Sequence, residues 1–175
     1  MENKRVILIE NEYKEPKDCS FGLPWTQDAI CYNYNPPKEC VLASDVNSLV
    51  NDRSITGIFI GCDLHDYSFL REITELKQLY IYNSTNLCDF SFLDKQYQLN
   101  QLYISESKID SLTELALFLK QKEKANRNLD YMERIIRATE GICIRSVNDL
   151  DISVLKTKDF YVSEIIVNGE KYVRY

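Results

Sequence analysis

The sequence predicts an α/β fold, a short solenoid in which parallel strands stack along one face. Three observations support this prediction. A five-residue motif recurs along the chain, pairs of apolar residues recur ahead of it in the same frame, and the C-terminal residues contain a hairpin signal. Self-similarity at a period of about 20 to 50 residues is typical of stacked repeats, so the repeat decides how the other elements are assigned.

The recurring motif consists of an Asp, an apolar residue, a Ser, a second apolar residue and a Leu. Its three copies begin at Asp66, Asp89 and Asp151. An Asp side chain just before a short apolar run can accept hydrogen bonds from the free N–H groups of a turn or short helix. We therefore predict a structural role for these carboxylates rather than a catalytic one.

Pairs of apolar residues separated by one position precede the motif, and further pairs fit the same frame. Alternate residues of a strand share one face, so both members of a pair are expected to point into the solenoid. The pairs are Ile58 with Ile60, Leu79 with Ile81, Leu102 with Ile104, Ile142 with Ile144, and Ile165 with Val167. Successive pairs are 21 to 23 residues apart, except for one interval of 40. A single coil cannot bury its own apolar residues, so several must stack around a shared core.

The long interval predicts a helical insertion over residues 111–140. Ser111 and Glu114 fit a capping box at the start of a first helix, and Gly141 is expected to end a second one. Each helix has an apolar face at helical spacing. The two faces are Leu112, Leu115, Ala116 and Leu119 in the first helix, and Leu129, Met132, Ile135 and Ile136 in the second.

Two caps complete the single predicted domain, which spans residues 1–175 with its repeats at 45–110 and 141–175. Residues 1–44 fit no repeat and are predicted to form an N-terminal cap, with strand candidates at 6–10 and 29–34. The aromatic residues of this region, among them Trp25, are expected to form its small core. At the other end, Asn168-Gly169 between two alternating apolar runs predicts a β-hairpin that caps the solenoid.

The clearest repeat resembles the leucine-rich repeat family. Residues 99–109 fit the pattern L-x-x-L-x-L-x-x-N-x-L, and residues 76–84 and 55–63 fit shorter parts of it. The resemblance covers residues 45–110 closely and 140–170 more loosely, as short, irregular repeats of the bacterial type. The Asn position of the pattern holds Asp63, Ser84 and Ser107, so we expect an inner turn built less regularly than in the family.

Composition and charge narrow the classes of function. With 45% apolar and 27% charged residues in 175, the chain is globular in composition and long enough to bury a core. The net charge of −6 disfavours binding to nucleic acid or to an anionic membrane, and it allows a basic protein partner. The apolar run at residues 6–9 is too short for a signal peptide, and no run is long enough to span a membrane. We expect a cytoplasmic monomer.

The outward residues of the predicted strands supply the candidate site. They form columns rich in Tyr and Phe, rimmed by amides and charges, which is the composition of a protein-binding patch. The predicted partner-binding residues are Phe59, Lys77, Gln78, Tyr80, Tyr82, Gln101, Tyr103, Glu106 and Arg145. Two other interpretations compete: the aromatic neighbours only stabilise the sheet, or the N-terminal segment folds over them. The resemblance to small bacterial repeat proteins implies recognition of one protein, as when an immunity or inhibitor protein neutralises a toxin.

Catalytic and metal-binding patterns are sparse, so we expect neither an enzyme nor a cofactor. The single histidine, His65, stands three positions after Cys62, which leaves a small hydrolase or transferase with a Cys/His site as the alternative. None of the six cysteines forms a Cys-x-x-Cys pair, and we interpret them as reduced thiols. The alternative interpretation is a metal site formed by Cys19, Cys31, Cys40 and His65.

Overall fold

A computed structural model describes residues 4–9, 39–82 and 84–173 of the chain. Eight strands form one sheet in the order β2-β1-β3-β4-β5-β6-β7-β8, and every neighbouring pair is parallel except β7 with β8. The strands are β1 (Lys4–Ile9), β2 (Glu39–Leu42), β3 (Ile55–Ile60), β4 (Gln78–Ile81), β5 (Gln101–Ser107), β6 (Thr139–Ser146), β7 (Val162–Val167) and β8 (Glu170–Val173). Two α-helices, α1 (Thr113–Asn126) and α2 (Tyr131–Arg137), lie between β5 and β6 in the chain. The predicted α/β class with a parallel sheet is confirmed.

The predicted apolar pairs stand in register across β3 to β7. The first members are successive partners in the ladder, and so are the second members two residues later. All ten side chains are at most 4% exposed and belong to one hydrophobic core. The inward orientation of the pairs is therefore confirmed, and the core is a stack of Ile, Leu and Val drawn from every coil.

The repeated Asp motif begins a short 3₁₀ helix in each copy. Asp66, Asp89 and Asp151 each accept the backbone N–H of the Ser two residues later, at 2.8 Å. The hydroxyls of Ser68 and Ser153 also donate to the same carboxylates. The three 3₁₀ helices are Ser68–Glu72, Ser91–Leu93 and Ile152–Leu155, and the Leu of each motif is buried. The predicted structural role is confirmed.

The start of α1 differs from the predicted capping box. Leu112 occupies the N-cap position and makes no side-chain cap. The hydroxyl of Ser111 accepts the N–H of Thr113 at 3.1 Å, while Glu114 accepts the N–H of Phe90 at 3.0 Å. Because the Glu114 carboxylate binds the backbone ahead of the second 3₁₀ helix, it anchors α1 to that segment instead of capping the helix.

The second helix departs from its prediction at both its end and its face. It ends at Arg137, and Gly141 is a buried residue of β6 paired with Gln101. Strand β6 begins two residues after the end of α2, so the helix does not end in a glycine turn. No residue of α2 is buried, and its apolar side chains face solvent.

The C-terminal hairpin is confirmed. Asn168 and Gly169 both adopt left-handed backbone conformations, with φ of 48° and 86°, as a two-residue type I′ turn between β7 and β8 requires. At the other end, β1 matches the strand candidate at 6–10, with its start moved to Lys4, whereas β2 had no sequence signal. The candidate at 29–34 and the small core around Trp25 lie outside the described residues. Within the described ranges, no helix has the length and apolar character needed to cross a membrane.

Candidate functional site

The predicted aromatic column is buried. Phe59, Tyr80 and Tyr103 are 3 to 5% exposed, and they stack across the strands with ring centroids 4.6 Å and 6.4 Å apart. They are not members of the hydrophobic core, since strand alternation places them on the opposite face of the sheet. These three rings therefore do not offer the accessible surface that the sequence predicts. Cross-strand stacking supports the competing interpretation, in which they stabilise the sheet. The second competing interpretation places the N-terminal segment over these rings, and most of that segment lies outside the described residues.

A polar row crosses the sheet where β4, β5 and β6 begin. Gln78 donates its amide N–H to the side-chain oxygen of Gln101 at 2.9 Å, and the Tyr80 hydroxyl donates to the same oxygen at 2.6 Å. Gln101 in turn donates to the carboxylate of Glu140 at 2.9 Å. Lys77, next to this row, is half-buried. The two predicted Gln residues thus bind one another and hold the strands in register.

The remaining predicted residues lie where the strands end. Tyr82 and Arg145 are half-buried. The ring of Tyr82 packs against that of Tyr103, with 5.8 Å between the ring centroids. Glu106 is exposed and has a φ of 54°, in the left-handed region that residues other than glycine seldom adopt. The register of β5 with β6 shifts at this point, between Ile104 and Ser107, as in a β-bulge. A bulge redirects the side chains around it, and here Glu106 projects into solvent.

Hydrogen bonds between successive coils fix this edge of the sheet. The hydroxyl of Ser84 donates to the carbonyl of Ser105, and that of Ser107 donates to the carbonyl of Arg145 at 3.2 Å. Both Ser side chains are fully buried. The Asp63 carboxylate accepts the Thr85 hydroxyl and the backbone N–H of Asn86. The three residues at the Asn position of the repeat pattern therefore each bind the next coil.

The loops after the strands give the same edge a negative charge. The exposed carboxylates are Asp66, Asp89, Glu106, Asp110, Asp149 and Asp151. Hydrogen bonds from Ser68 and Ser153 hold the pKa values of Asp66 and Asp151 below their usual range. Lys108 and Arg145 are the basic residues at the ends of β5 and β6. We call these six carboxylates, which lie at or after the C-terminal ends of β3, β4, β5 and β6, the acidic edge.

A groove beside the helices holds a buried lysine that sequence reasoning missed. Lys122 is 3% exposed, and its side-chain nitrogen donates to the carbonyl of Leu99 and to the Thr139 hydroxyl. It lines a groove of about 310 Å³ between α1, α2 and Phe160. Burial lowers the pKa of Lys122 to about 7. A signal was present, because Lys122 lies three residues after Leu119 on the apolar face of α1.

Four of the eight large apolar side chains that are exposed among the described residues lie on α2. Tyr131, Met132, Ile135 and Ile136 are 76%, 63%, 50% and 58% exposed. Large exposed apolar patches are typical of interaction sites, whereas single exposed apolar residues are normal on a monomer. We call these four residues the α2 face.

The residues of the catalytic alternative lie in different environments. Cys62 is 5% exposed and belongs to the hydrophobic core, whereas His65 is exposed in a loop. A nucleophilic thiol must be accessible and activated by a base, so this placement disfavours the Cys62–His65 hypothesis. Among the described residues, no group of three or more His, Cys, Asp or Glu is placed to hold a metal ion. The side chains of Cys19, Cys31 and Cys40 lie outside the described residues.

No protein-family model matches the chain, and no curated protein and no solved structure shows significant similarity to it. Its family and function therefore rest on its own residues and contacts.

Proposed function

We propose that the chain is a short solenoid of the leucine-rich repeat type and a non-catalytic module that binds one basic protein partner at its acidic edge. The observation on which this proposal depends is Glu106, an exposed carboxylate in a left-handed backbone conformation in the middle of that edge.

Two features support a repeat solenoid. Partner residues in the pairs β3–β4, β4–β5 and β6–β7 are 21 to 23 residues apart, within the 20 to 29 residues typical of leucine-rich repeats. The side chains of Asp63, Ser84 and Ser107 bond to the following coil, which is the role expected of the Asn position in such a pattern.

The backbone at Glu106 favours a binding role over a purely structural one. A left-handed conformation costs an L-residue roughly 1–2 kcal/mol, so it persists only where its surroundings enforce it. Here the ladder of β5 with β6 continues on both sides of the shifted residues. Since strained positions cluster at functional sites, an exposed charge held at one of them is a good candidate for partner contact.

The chemistry of the edge indicates what the partner should be. Six exposed carboxylates and a net charge of −6 attract a basic surface and accelerate its encounter. Four strands, β3 to β6, spaced about 4.8 Å apart give the edge a length of roughly 14 Å, so an interface of the standard ~800 Å² per partner would extend from the strand ends onto the loops beside them. An immunity or inhibitor protein that neutralises a basic bacterial toxin is a setting that fits these properties.

A site-specific photo-crosslink tests this proposal. A benzophenone amino acid replaces Val147, which is 72% exposed at the end of β6, or Lys124 on α1 as the matched control. In cells of the native host we expect a crosslinked protein from position 147 and none from position 124. The captured protein is then purified and its affinity for the chain is measured.

The purified pair decides the outcome. Glu106→Lys should weaken binding at least tenfold, and added salt should weaken wild-type binding, because both act on charge attraction. Lys124→Glu should leave the affinity unchanged. Equal affinity for wild type and Glu106→Lys, or no crosslink at position 147, would refute binding at the acidic edge.

A further inference from the structure

The groove beside Lys122 has the size and the lining of a small-molecule site. Its volume of about 310 Å³ lies at the lower end of the range typical of ligand pockets. Its apolar lining includes Leu119 of α1, Phe160, and Tyr131 and Ile135 of the α2 face. Ligand pockets combine such apolar surface with a few polar groups that select the ligand, so the polar lining indicates what the groove can bind.

The polar lining of the groove is mainly basic. Lys122, Arg134 and Arg137 line it, and Glu123 is the acidic residue among its described lining residues. Glu123 pairs with Arg134 at 3.4 Å and so offsets one of the two guanidinium groups. An excess of basic residues is unusual for a surface of this chain, whose net charge is −6. The groove is therefore complementary to an anion.

Lys122 makes no hydrogen bond to a carboxylate within the described part of the chain. Its nitrogen binds two neutral acceptors, the Leu99 carbonyl and the Thr139 hydroxyl, the latter at 2.8 Å. Thr139 also lines the groove, so the amine end of the lysine lies beside it. The carboxylates that favour the charged form, Glu123 and Glu140, bind other side chains. An ammonium group has three N–H donors, so protonation leaves this one without a third acceptor and without a paired anion.

We infer that the groove binds a small apolar carboxylate, with its charged group at Lys122 and its apolar body along Leu119, Ile135 and Phe160. The ligand carboxylate accepts the third N–H of the ammonium group and supplies the missing negative charge. The ligand body excludes water from this contact, which strengthens it. The groove lies beside the start of β6, whereas the acidic edge lies at the opposite ends of the strands, so either proposal can fail without the other.

An NMR titration of the purified chain tests the site with three probes and their neutral counterparts. The probes are phenylacetate, indole-3-acetate and octanoate, and the counterparts are their primary amides. At pH 6.5 at least one carboxylate should bind with a dissociation constant below about 1 mM and shift the amide signals of groove residues. Its amide should bind at least about tenfold more weakly, because it lacks the charge that pairs with the ammonium group.

The pH dependence of wild-type binding tests the role of Lys122 without any substitution. Its pKa is about 7 in the free chain, and a bound carboxylate raises that pKa, so binding above pH 7 takes up a proton. The affinity for the carboxylate should therefore fall roughly fiftyfold from pH 7 to pH 9, and the affinity for the amide should not. Carboxylates, guanidinium groups and phenols do not ordinarily titrate in this range. These are the other ionisable groups around the amine and the groove: Glu123, Glu140, Arg134, Arg137, Tyr131 and Tyr161.

Two pairs of variants locate the ligand. Lys122→Met should bind the tightest carboxylate at least about tenfold more weakly and without the pH dependence, whereas Lys124→Met, at an exposed lysine of the same helix, should match wild type. Ile135→Glu adds a negative charge beside the groove and should also weaken binding. Ile136→Glu adds it at the next residue, which is 58% exposed and does not line the groove, and should not weaken binding.

Several results would overturn the inference. They are the failure of all three probes to bind, equal affinity for a carboxylate and its amide, an affinity that stays constant from pH 7 to pH 9, and wild-type binding by Lys122→Met. Because the first three come from the wild-type chain, the test does not depend on whether Lys122→Met folds.

Discussion

Lys122 shows how a single residue can oppose the preference of its type. Its side chain is 3% exposed, and removing an ammonium group from water disfavours the charged form. Glu123 and Glu140 act in the opposite direction, but burial dominates and lowers the pKa to about 7. A neutral amine has two N–H donors, which matches the two acceptors that Lys122 contacts, the Leu99 carbonyl and the Thr139 hydroxyl.

This environment predicts a pH-dependent stability. In the unfolded chain the pKa of a lysine is about 10.4, so between pH 7 and 10 the unfolded state binds a proton that the native state lacks. The free energy of unfolding should therefore rise with pH across this window, by roughly 3 kcal/mol between pH 7 and 9.5. Below pH 7 both states are protonated, and Lys122 contributes no further slope.

Urea unfolding at pH 7 and pH 9.5 measures this slope. Lys122→Met should remove the rise, whereas Lys124→Met, a change at an exposed lysine on the same helix, should keep it. Other groups also titrate in this range, so the comparison between variants is decisive. If wild type and Lys122→Met change in parallel, Lys122 is charged in the native state throughout.

Single residues also show where sequence reasoning reaches its limit. Strand alternation correctly separates Ile58 and Ile60 from Phe59, because it depends only on local geometry. Alternation cannot reveal whether the outward face is covered, since that depends on segments far away in the chain. A local pattern therefore could not predict that Phe59, Tyr80 and Tyr103 are buried. Of the predicted partner-binding residues, those at the strand ends are the more accessible ones.

At the scale of elements, repetition made the strands more predictable than the helices. Each strand pair is constrained by several copies of the same pattern, and all the predicted registers from β3 to β7 agree. The insertion occurs once, and its details depend on contacts with the coils, such as the bond from the Phe90 N–H to Glu114. The capping pattern predicted from Ser111 and Glu114 is local, so it could not include the Phe90 N–H, which binds the Glu114 carboxylate in the structure.

The bonds between coils should contribute measurably to the stability of these elements. Ser107 is fully buried, and its hydroxyl donates to the Arg145 carbonyl at 3.2 Å. Ser107→Ala removes the donor, which should lower the free energy of unfolding by about 1–3 kcal/mol and the melting temperature by several degrees. Ser91→Ala, at an exposed serine, should change both by much less. Equal effects of the two substitutions would show that the inner bonds do not hold the coils together.

For the molecule as a whole, the shared hydrophobic core connects the strands of the sheet to one another. Each inner strand buries its apolar pair between those of both neighbours, so no coil has a core of its own. The hairpin of β7 and β8 covers the C-terminal end of this stack with an antiparallel strand. Because these side chains belong to one hydrophobic core, we expect the stability of each strand to depend on its neighbours.

This coupling predicts that one central charge unfolds the entire stack. Ile81 is fully buried in β4, between Ile60 of β3 and Ile104 of β5. Ile81→Asp places an unpaired carboxylate there, at a cost comparable with the 5 to 15 kcal/mol that typically stabilises a domain. Thr74→Asp adds the same group at an exposed residue of the same coil and should be tolerated. We expect circular dichroism and hydrogen exchange to show loss of protection in all strands for Ile81→Asp. Protection that survived in β6 and β7 would instead mean that the two ends of the sheet fold independently.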